Sequence, residues 1–459
     1  MSVTDLFDYD FDEEGVGFHE PETAVPKKAM PLLQRVLLGF FLLALVVLGV
    51  QAAGGLFVGT WIGFVFGPGA LALFASLYFW AAYKDLTPGI QHNGVRFDSL
   101  LARGAFGWIA GVLMTGFYVA IYFFPATLGH SANSEPTGLV RTVDPLAQLM
   151  TGGPASQWFL YGVLYSFVMV PFGVRMWMKY RHSNYHKLRT LSLLFFQLGF
   201  AWLIPNLLVR FQQPYMELNG VWPLKQDYLW PSKVSELWNG EADLGPVLLV
   251  WALLVAFVAT PVLTYFYGKR WYCSWVCGCG GLAETLGDPW RQLSDKSDRA
   301  WKIERVTIYS VLGLVLLVSA VLWIDHATDN GVFQGFGGSL RHWYGFGIGA
   351  LFSGVVGVGF YPLLGSRVWC RFGCPQAAIL GILQRVFSRF RITTNGGQCI
   401  SCGNCSTYCE MGIDVRAYAQ RGENIVRASC VGCGVCAAAC PRGVLKLENG
   451  STHLERYDS

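Results

Sequence analysis

The chain has 459 residues, of which 53 % are hydrophobic and 14 % charged. Soluble domains carry roughly 25 % charged residues, so a water-soluble globular enzyme is excluded as a description of the whole. The net charge of +4 is small and its basic residues are scattered along loops, which leaves no patch for nucleic acid.

An acidic stretch comes first, with Asp5, Asp8, Asp10, Asp12, Glu13, Glu14, Glu20 and Glu22. By composition residues 1–30 are a disordered tail. The first apolar run starts too late for a cleavable signal peptide. Eight apolar segments follow, near 33–53, 58–82, 104–124, 157–178, 190–210, 246–267, 304–324 and 345–365. Each is long enough to cross a hydrocarbon core of ~30 Å, and none has an ionised residue in its middle. The second and eighth are glycine-rich. Pro171, Pro205, Pro261 and Pro362 are expected to kink their helices. The expected fold is a polytopic α-helical membrane protein of about eight transmembrane helices with a C-terminal α+β two-cluster ferredoxin-like module. Its parts are helices one to six at 31–267, a loop at 268–303, helices seven and eight at 304–375, and the module at 395–447.

Basic loop residues set the expected orientation. One face receives Lys27, Lys28, Arg35, Lys84, Arg96, Arg103, Arg175, Lys179, Arg181, Lys187 and Arg189, then the Lys269–Arg305 loop. The other receives Arg141, Arg210, Lys225, Lys233 and Arg341. This places both termini and the module in the cytoplasm of a bacterial inner membrane. All 13 cysteines then fall on the cytoplasmic side or its boundary, as cluster chemistry in a reducing compartment requires.

Two cysteine runs carry the chemistry. Cys399, Cys402, Cys405 and Cys409 form the first; Cys430, Cys433, Cys436 and Cys440, followed by Pro441, form the second. Both have the C-x2-C-x2-C-x3-C spacing of two-cluster bacterial ferredoxins, in which the fourth cysteine ligates the other cluster. Cys399, Cys402, Cys405 and Cys440 are therefore expected on one [4Fe–4S] cluster, and Cys430, Cys433, Cys436 and Cys409 on the other. Structural zinc uses paired C-x2-4-C sites and does not need three cysteines at two-residue gaps. Gly403, Gly432 and Gly434 lie between ligands, where glycine lets backbone N–H groups face the cluster. Cys409 is followed by Glu410 rather than proline.

Five cysteines remain. Cys273, Cys277 and Cys279 follow the sixth segment, and Cys370 and Cys374 the eighth. The duplicated C-x3-C at one membrane depth supplies four soft ligands. Joint coordination of a metal or third iron–sulfur centre by Cys273, Cys277, Cys370 and Cys374 is favoured over a redox dithiol or inert thiols. Cys279 is spare or replaces one ligand.

Over roughly residues 246–447 the chain resembles the membrane polyferredoxins of the NosR/NapH type, with their CcoG and reductive-dehalogenase-associated relatives. The resemblance rests on the paired C-x3-C(P) motifs, the two-cluster module and the Cys409-Glu-Met-Gly-Ile-Asp stretch. It departs at Gly278, where the family has proline, and at the extra Cys279. The flavin domain ahead of the helices in NosR-type members and the domain after the module in CcoG-type members have no counterpart here. The resemblance implies electron transfer between the quinone pool or a membrane-bound partner and a redox protein. It also implies a second reading, an electron-donating assembly factor or copper reductase.

Other signals are weaker. No histidine lies mid-span, which disfavours intramembrane haem. Asp325, His326 and His342 are candidates for proton gating at a quinol site, with ordinary interface roles preferred. His182 and His186 read as lipid-headgroup contacts rather than metal ligands. Gln197 reads as a helix–helix contact rather than a quinone ligand.

Overall fold

A computed structural model describes residues 30–89, 100–102, 104–130, 135–329, 332, 333 and 335–449. The acidic tail, Lys27, Lys28, Arg96 and Arg103 lie outside the described residues. Among the described residues seven helices are long and apolar enough to cross a membrane: α1 Leu32–Ala52, α2 Trp61–Tyr83, α3 Gly104–Phe123, α4 Gln157–Lys179, α5 Asn184–Arg210, α6 Gly245–Tyr267 and α7 Asp298–Ala327. Their outward faces are apolar, as lipid-facing surfaces must be: α1 exposes Val36, Phe40, Leu43 and Val46 and buries Leu37, Ala44 and Gln51.

The eighth expected span is helical but is not one of these seven. Helix α8 runs over 336–359, and all of Gly345–Gly359 is wound as a π-helix. Its glycines are packing residues. A Cβ at Gly354 would lie 2.5 Å from the Tyr122 ring, and one at Gly357 would lie 2.9 Å from Cβ of Trp369. The backbone therefore sits directly on α3 and on the residue before Cys370.

The prolines act through π turns. Pro205 and Pro261 each follow one, at Phe196–Leu203 and Val255–Ala259. A proline offers no N–H to the turn before it, and in α5 the freed carbonyl finds another donor. The Phe200 carbonyl accepts the Leu218 N–H at 3.1 Å. Pro171 stays inside a continuous α4.

That last contact marks a departure from the expected topology. Residues 211–230 join the ends of α5 and α6 on the face opposite the cysteines, and Lys225 was expected among that face's charges. Instead the segment folds back between the helices. Trp251 Nε1 donates to the Leu218 carbonyl at 2.9 Å. Tyr272 Oη donates to the Asn219 carbonyl at 3.0 Å, and Asn219 Nδ2 to the Val276 carbonyl at 3.2 Å. Leu224 packs with Cys279, Cys374 and Trp369. Irregular backbone is tolerated at membrane depth only where protein or a wet cavity satisfies it, and these bonds do so.

The C-terminal module is small. Strand β1 (Arg391–Thr394) pairs antiparallel with β2 (Leu445–Glu448), Ile392 opposite Leu447. Short helices at Asn404–Thr407, Val415–Arg421 and Val435–Ala438 lie between them. The module is docked on the membrane domain by a buried ion network. Glu410 accepts from Arg291 at 2.7 Å and Arg367 at 2.9 Å. Glu284 pairs with the same two arginines at 2.6 and 2.8 Å and with Arg189 at 2.9 Å. Asp288 pairs with Arg175, Lys179 and Arg291. Burial opposes ionisation of Glu284, but its three arginines prevail and hold the carboxyl well below the usual range. Burial pushes the adjacent Glu410 up, against Arg291 and Arg367.

Removing one partner of such a network leaves buried charge uncompensated, at a cost of about 3–5 kcal/mol. Arg291→Met is expected to lower the thermal midpoint in detergent and to open the 395–447 module to limited proteolysis. An unchanged midpoint and cleavage pattern would show that the network does not dock the module.

Candidate iron–sulfur centres and an adjoining cavity

The two boundary motifs have one local structure. Cys273 ends the short helix Arg270–Cys273, and Cys277 caps the helix Gly278–Glu284. Cys370 lies in the helix Val368–Phe372, and Cys374 caps the helix Pro375–Phe387. The second cysteine's N–H closes each turn on the residue before the first: Cys277 on the Tyr272 carbonyl at 2.8 Å, Cys374 on the Trp369 carbonyl at 2.9 Å. The pairs also meet in space. Arg367 donates to the Cys273 carbonyl at 3.2 Å and to Cys370 Sγ at 3.7 Å. All four thiols are buried and lie within electrostatic reach of one another. Burial pushes the Cys273 thiol up to about 12, whereas the hydrogen bond with Cys279 lowers Cys277 to about 7. Cys279 is half-buried and faces a cavity.

In the module Cys399, Cys402, Cys405 and Cys440 line one pocket. Cys409, Cys430, Cys433 and Cys436 line another. These are the two quartets that crossed ligation requires. A tetrahedral zinc with Zn–S of about 2.3 Å needs sulfurs about 3.8 Å apart. Among the described residues no three thiols come within 4.8 Å of one another. The four thiolates lining each pocket are the donor set of a cubane. Glu284, Glu410 and the Cys433 sulfur do come that close, but the arginines around them make this an ion-pair network.

The module's loops rest on the boundary site. Ser274 Oγ, between Cys273 and Cys277, donates to the Val431 carbonyl, between Cys430 and Cys433, at 2.7 Å. Tyr185 Oη donates to the Gly432 carbonyl at 2.7 Å, and Gln384 Nε2 to the Cys430 carbonyl at 2.9 Å. Gly432 has φ +61° and would place a Cβ 2.7 Å from Arg270; Gly434 has φ +81° and would place one 2.9 Å from the Tyr185 ring. Both positions need glycine for conformation and for approach.

On the other side of the boundary cysteines lies a cavity of about 840 Å³, within the range of small-molecule sites. Aromatic side chains of α4, α5 and α8 wall it, among them Tyr161, Tyr165, Trp202 and Tyr344. Cys277, Gly278 and Cys279 line it, as do Thr151, Pro154, Gln226 and Asp227. Three lining residues carry buried polar atoms without a protein partner: Asn219 Oδ1, Trp202 Nε1 and Trp369 Nε1. No pattern in the chain pointed to this cavity, because residues 211–230 complete it. Gln197, expected as a helix contact, lines it beside Gly278, whose Cβ would lie 2.8 Å from Gln197 Oε1. A proline there, as in the family pattern, would collide.

The remaining candidates are structural. Asp325 accepts the N–H groups of Phe333 and Gly337 at 3.2 and 3.1 Å. His326 packs on Trp323 and His342 on Trp343. His186, expected at lipid headgroups, is buried, stacks on Tyr180 at 4.6 Å and lies 2.9 Å from Ser183 Oγ. Its helix is turned inward because Arg189 must reach Glu284.

Helices that span a bilayer, joined to a two-quartet cysteine module, define a membrane-bound ferredoxin. The comparisons agree. A family model for a 4Fe–4S binding domain matches residues 249–303 and again 346–393, and a 4Fe–4S dicluster domain matches 398–445. YccM of Escherichia coli, named for electron transport, is 28 % identical over 36 % of this chain and 46 % of its own length. The methylamine utilization ferredoxin-type protein MauN of Methylorubrum extorquens is 29 % identical over 44 % of this chain and 66 % of its own. The ferredoxin-type protein NapH of Escherichia coli is 26 % identical over 45 % and 74 %. The chain thus spans about half the length of YccM and just under two thirds of MauN. No solved structure matches. The chain thus resembles the NapH-type membrane ferredoxins in its apolar helices and its 4Fe–4S binding domains.

Crossed ligation has a specific outcome. Cys440→Ala is expected to lose the cluster of the first run, and Cys409→Ala that of the second, each removing about four iron atoms per chain. Iron and sulfide analysis with EPR distinguishes them. Each variant losing its own run's cluster would sink the assignment.

Proposed function

We propose that the protein relays electrons between a membrane-soluble quinone and a redox protein partner. Cys399, Cys402, Cys405 and Cys440 hold one [4Fe–4S] cluster, and Cys430, Cys433, Cys436 and Cys409 the second. Cys273, Cys277, Cys370 and Cys374 hold a third centre. Bound clusters would supply one-electron transfer. The observation that carries this reading is the cavity against the boundary cysteines. Its aromatic walls suit a ring. Asn219 Oδ1 is an acceptor for a quinol O–H, and the indole N–H groups of Trp202 and Trp369 are donors for a quinone carbonyl. The Ser274–Val431 hydrogen bond supports a short path from this site to the second cluster.

The excess of lysine and arginine in the loops on the cysteine side supports a cytoplasmic position for the module, both termini and the protein partner at a bacterial inner membrane. Lipid contacts are made by the apolar helix faces. The second reading, reduction of a metal ion such as copper for another enzyme, is favoured only by Cys279, a thiol beyond the four ligands that faces the cavity.

Anaerobic purification is expected to give about twelve iron atoms per chain, with about eight if the boundary site holds none. Cys370→Ala is expected to lose the third centre and spare the module's two. Reduction of the clusters by a short-chain quinol, followed by EPR, tests the carrier. Zinc without labile sulfide would overturn the reading.

A further inference from the structure

Charged groups are distributed unevenly around the cavity. Its ionisable lining residues, apart from tyrosines and cysteines, are Glu217, Lys225 and Asp227, among the described residues. All three belong to the segment that dips in from the face opposite the module. Glu217 and Lys225 form an ion pair at 2.6 Å, with side chains 25 % and 36 % exposed. Tyr215, Tyr228, Tyr122 and Asp227 are the other titratable groups around the pair. Toward the module the arrangement is reversed. Glu284, Asp288 and Glu410 are all enclosed by arginines and lysine, and none lines the cavity. Arg291 and Arg367 are fully buried between the boundary cysteines and the module. Fixed guanidinium charge blocks passage of protons and other cations, but it stabilises added electrons.

Resting on the quinone reading above, we infer that the reaction in this cavity is vectorial: protons exchange with the face opposite the ferredoxin module, through Glu217 and Lys225, while electrons leave toward the module. In the oxidative direction both O–H bonds of the quinol break and its two C–O bonds become carbonyls. Two electrons pass singly to iron–sulfur acceptors on the cysteine side, and two protons pass to the Glu217 carboxylate and on to water at the cavity mouth. The reverse reaction draws its protons from the same face. Turnover therefore moves charge across the bilayer.

The full-length protein in liposomes containing a trapped pH dye tests this. Protease digestion measures the fraction with the module outward. A short-chain quinol is the reductant, and ferricyanide, which does not cross the bilayer and takes up no proton, is the external oxidant. The expected result is luminal acidification by one proton per electron, above the protein-free rate. Glu217→Gln should slow that acidification about tenfold or more while leaving dithionite reduction of the clusters unchanged. Glu217→Gln with Lys225→Met removes both charges and leaves no buried ion unpaired, so it serves if the single variant loses iron. Quinol oxidation with acid appearing outside overturns the inference and leaves the quinone reading standing. Wild-type rates of luminal acidification in both variants remove Glu217 and Lys225 from the route. Absence of quinol-dependent ferricyanide reduction overturns both readings.

Discussion

Glu410 is the residue on which the arrangement of the molecule depends. It follows Cys409 directly, so it is fixed to the cysteine module, yet it is fully buried against Arg291 and Arg367 of the membrane domain. A carboxylate is held in such a place only by paired cations with satisfied hydrogen bonds. Glu284 closes the network by bridging the same arginines and recruiting Arg189 from α5. Two acids from distant parts of the chain thereby share one set of cations. The module has a single docking position, with its cysteine loops over the boundary cysteines. The surrounding contacts, Ser274 to Val431 and Tyr185 to Gly432, are neutral hydrogen bonds that refine a position the charges set.

The same network separates two environments. On its module side are loops carrying eight thiols; on its membrane side are the boundary cysteines and an aromatic cavity. Where they line the cavity, α5 and α8 are wound in part as π-helix. Such turns are frequent at functional sites. In α5 the π turn has a local consequence: with Pro205 supplying no N–H, the Phe200 carbonyl is free to anchor the returning segment at Leu218.

Much of this was legible in the chain. Apolar length marks helices because an unsatisfied backbone is too costly in lipid, and seven of the eight expected spans meet that test. The eighth differs because glycines that admit Trp369 and Tyr122 also dilute its apolar character. The cysteine spacings read correctly as iron–sulfur sites because cluster geometry fixes ligand spacing locally. Glu410 stood out as an unexplained replacement for proline, but its partners lie more than forty residues away, and no local pattern names them. His186 was misread for the same reason: a side chain's surroundings depend on which helix face is turned inward.

The sequence by itself therefore determined the class of protein: apolar helices, a cysteine module after them, and motifs at one membrane boundary. These rest on composition and short-range spacing, which act within one element. Only the tertiary structure decided that the four boundary thiols converge, that the 211–230 segment turns back into the membrane domain, and that a cavity meets Cys277 and Cys279. Each of those depends on long-range pairing of buried polar groups, whose energy appears only once water has been excluded from around them.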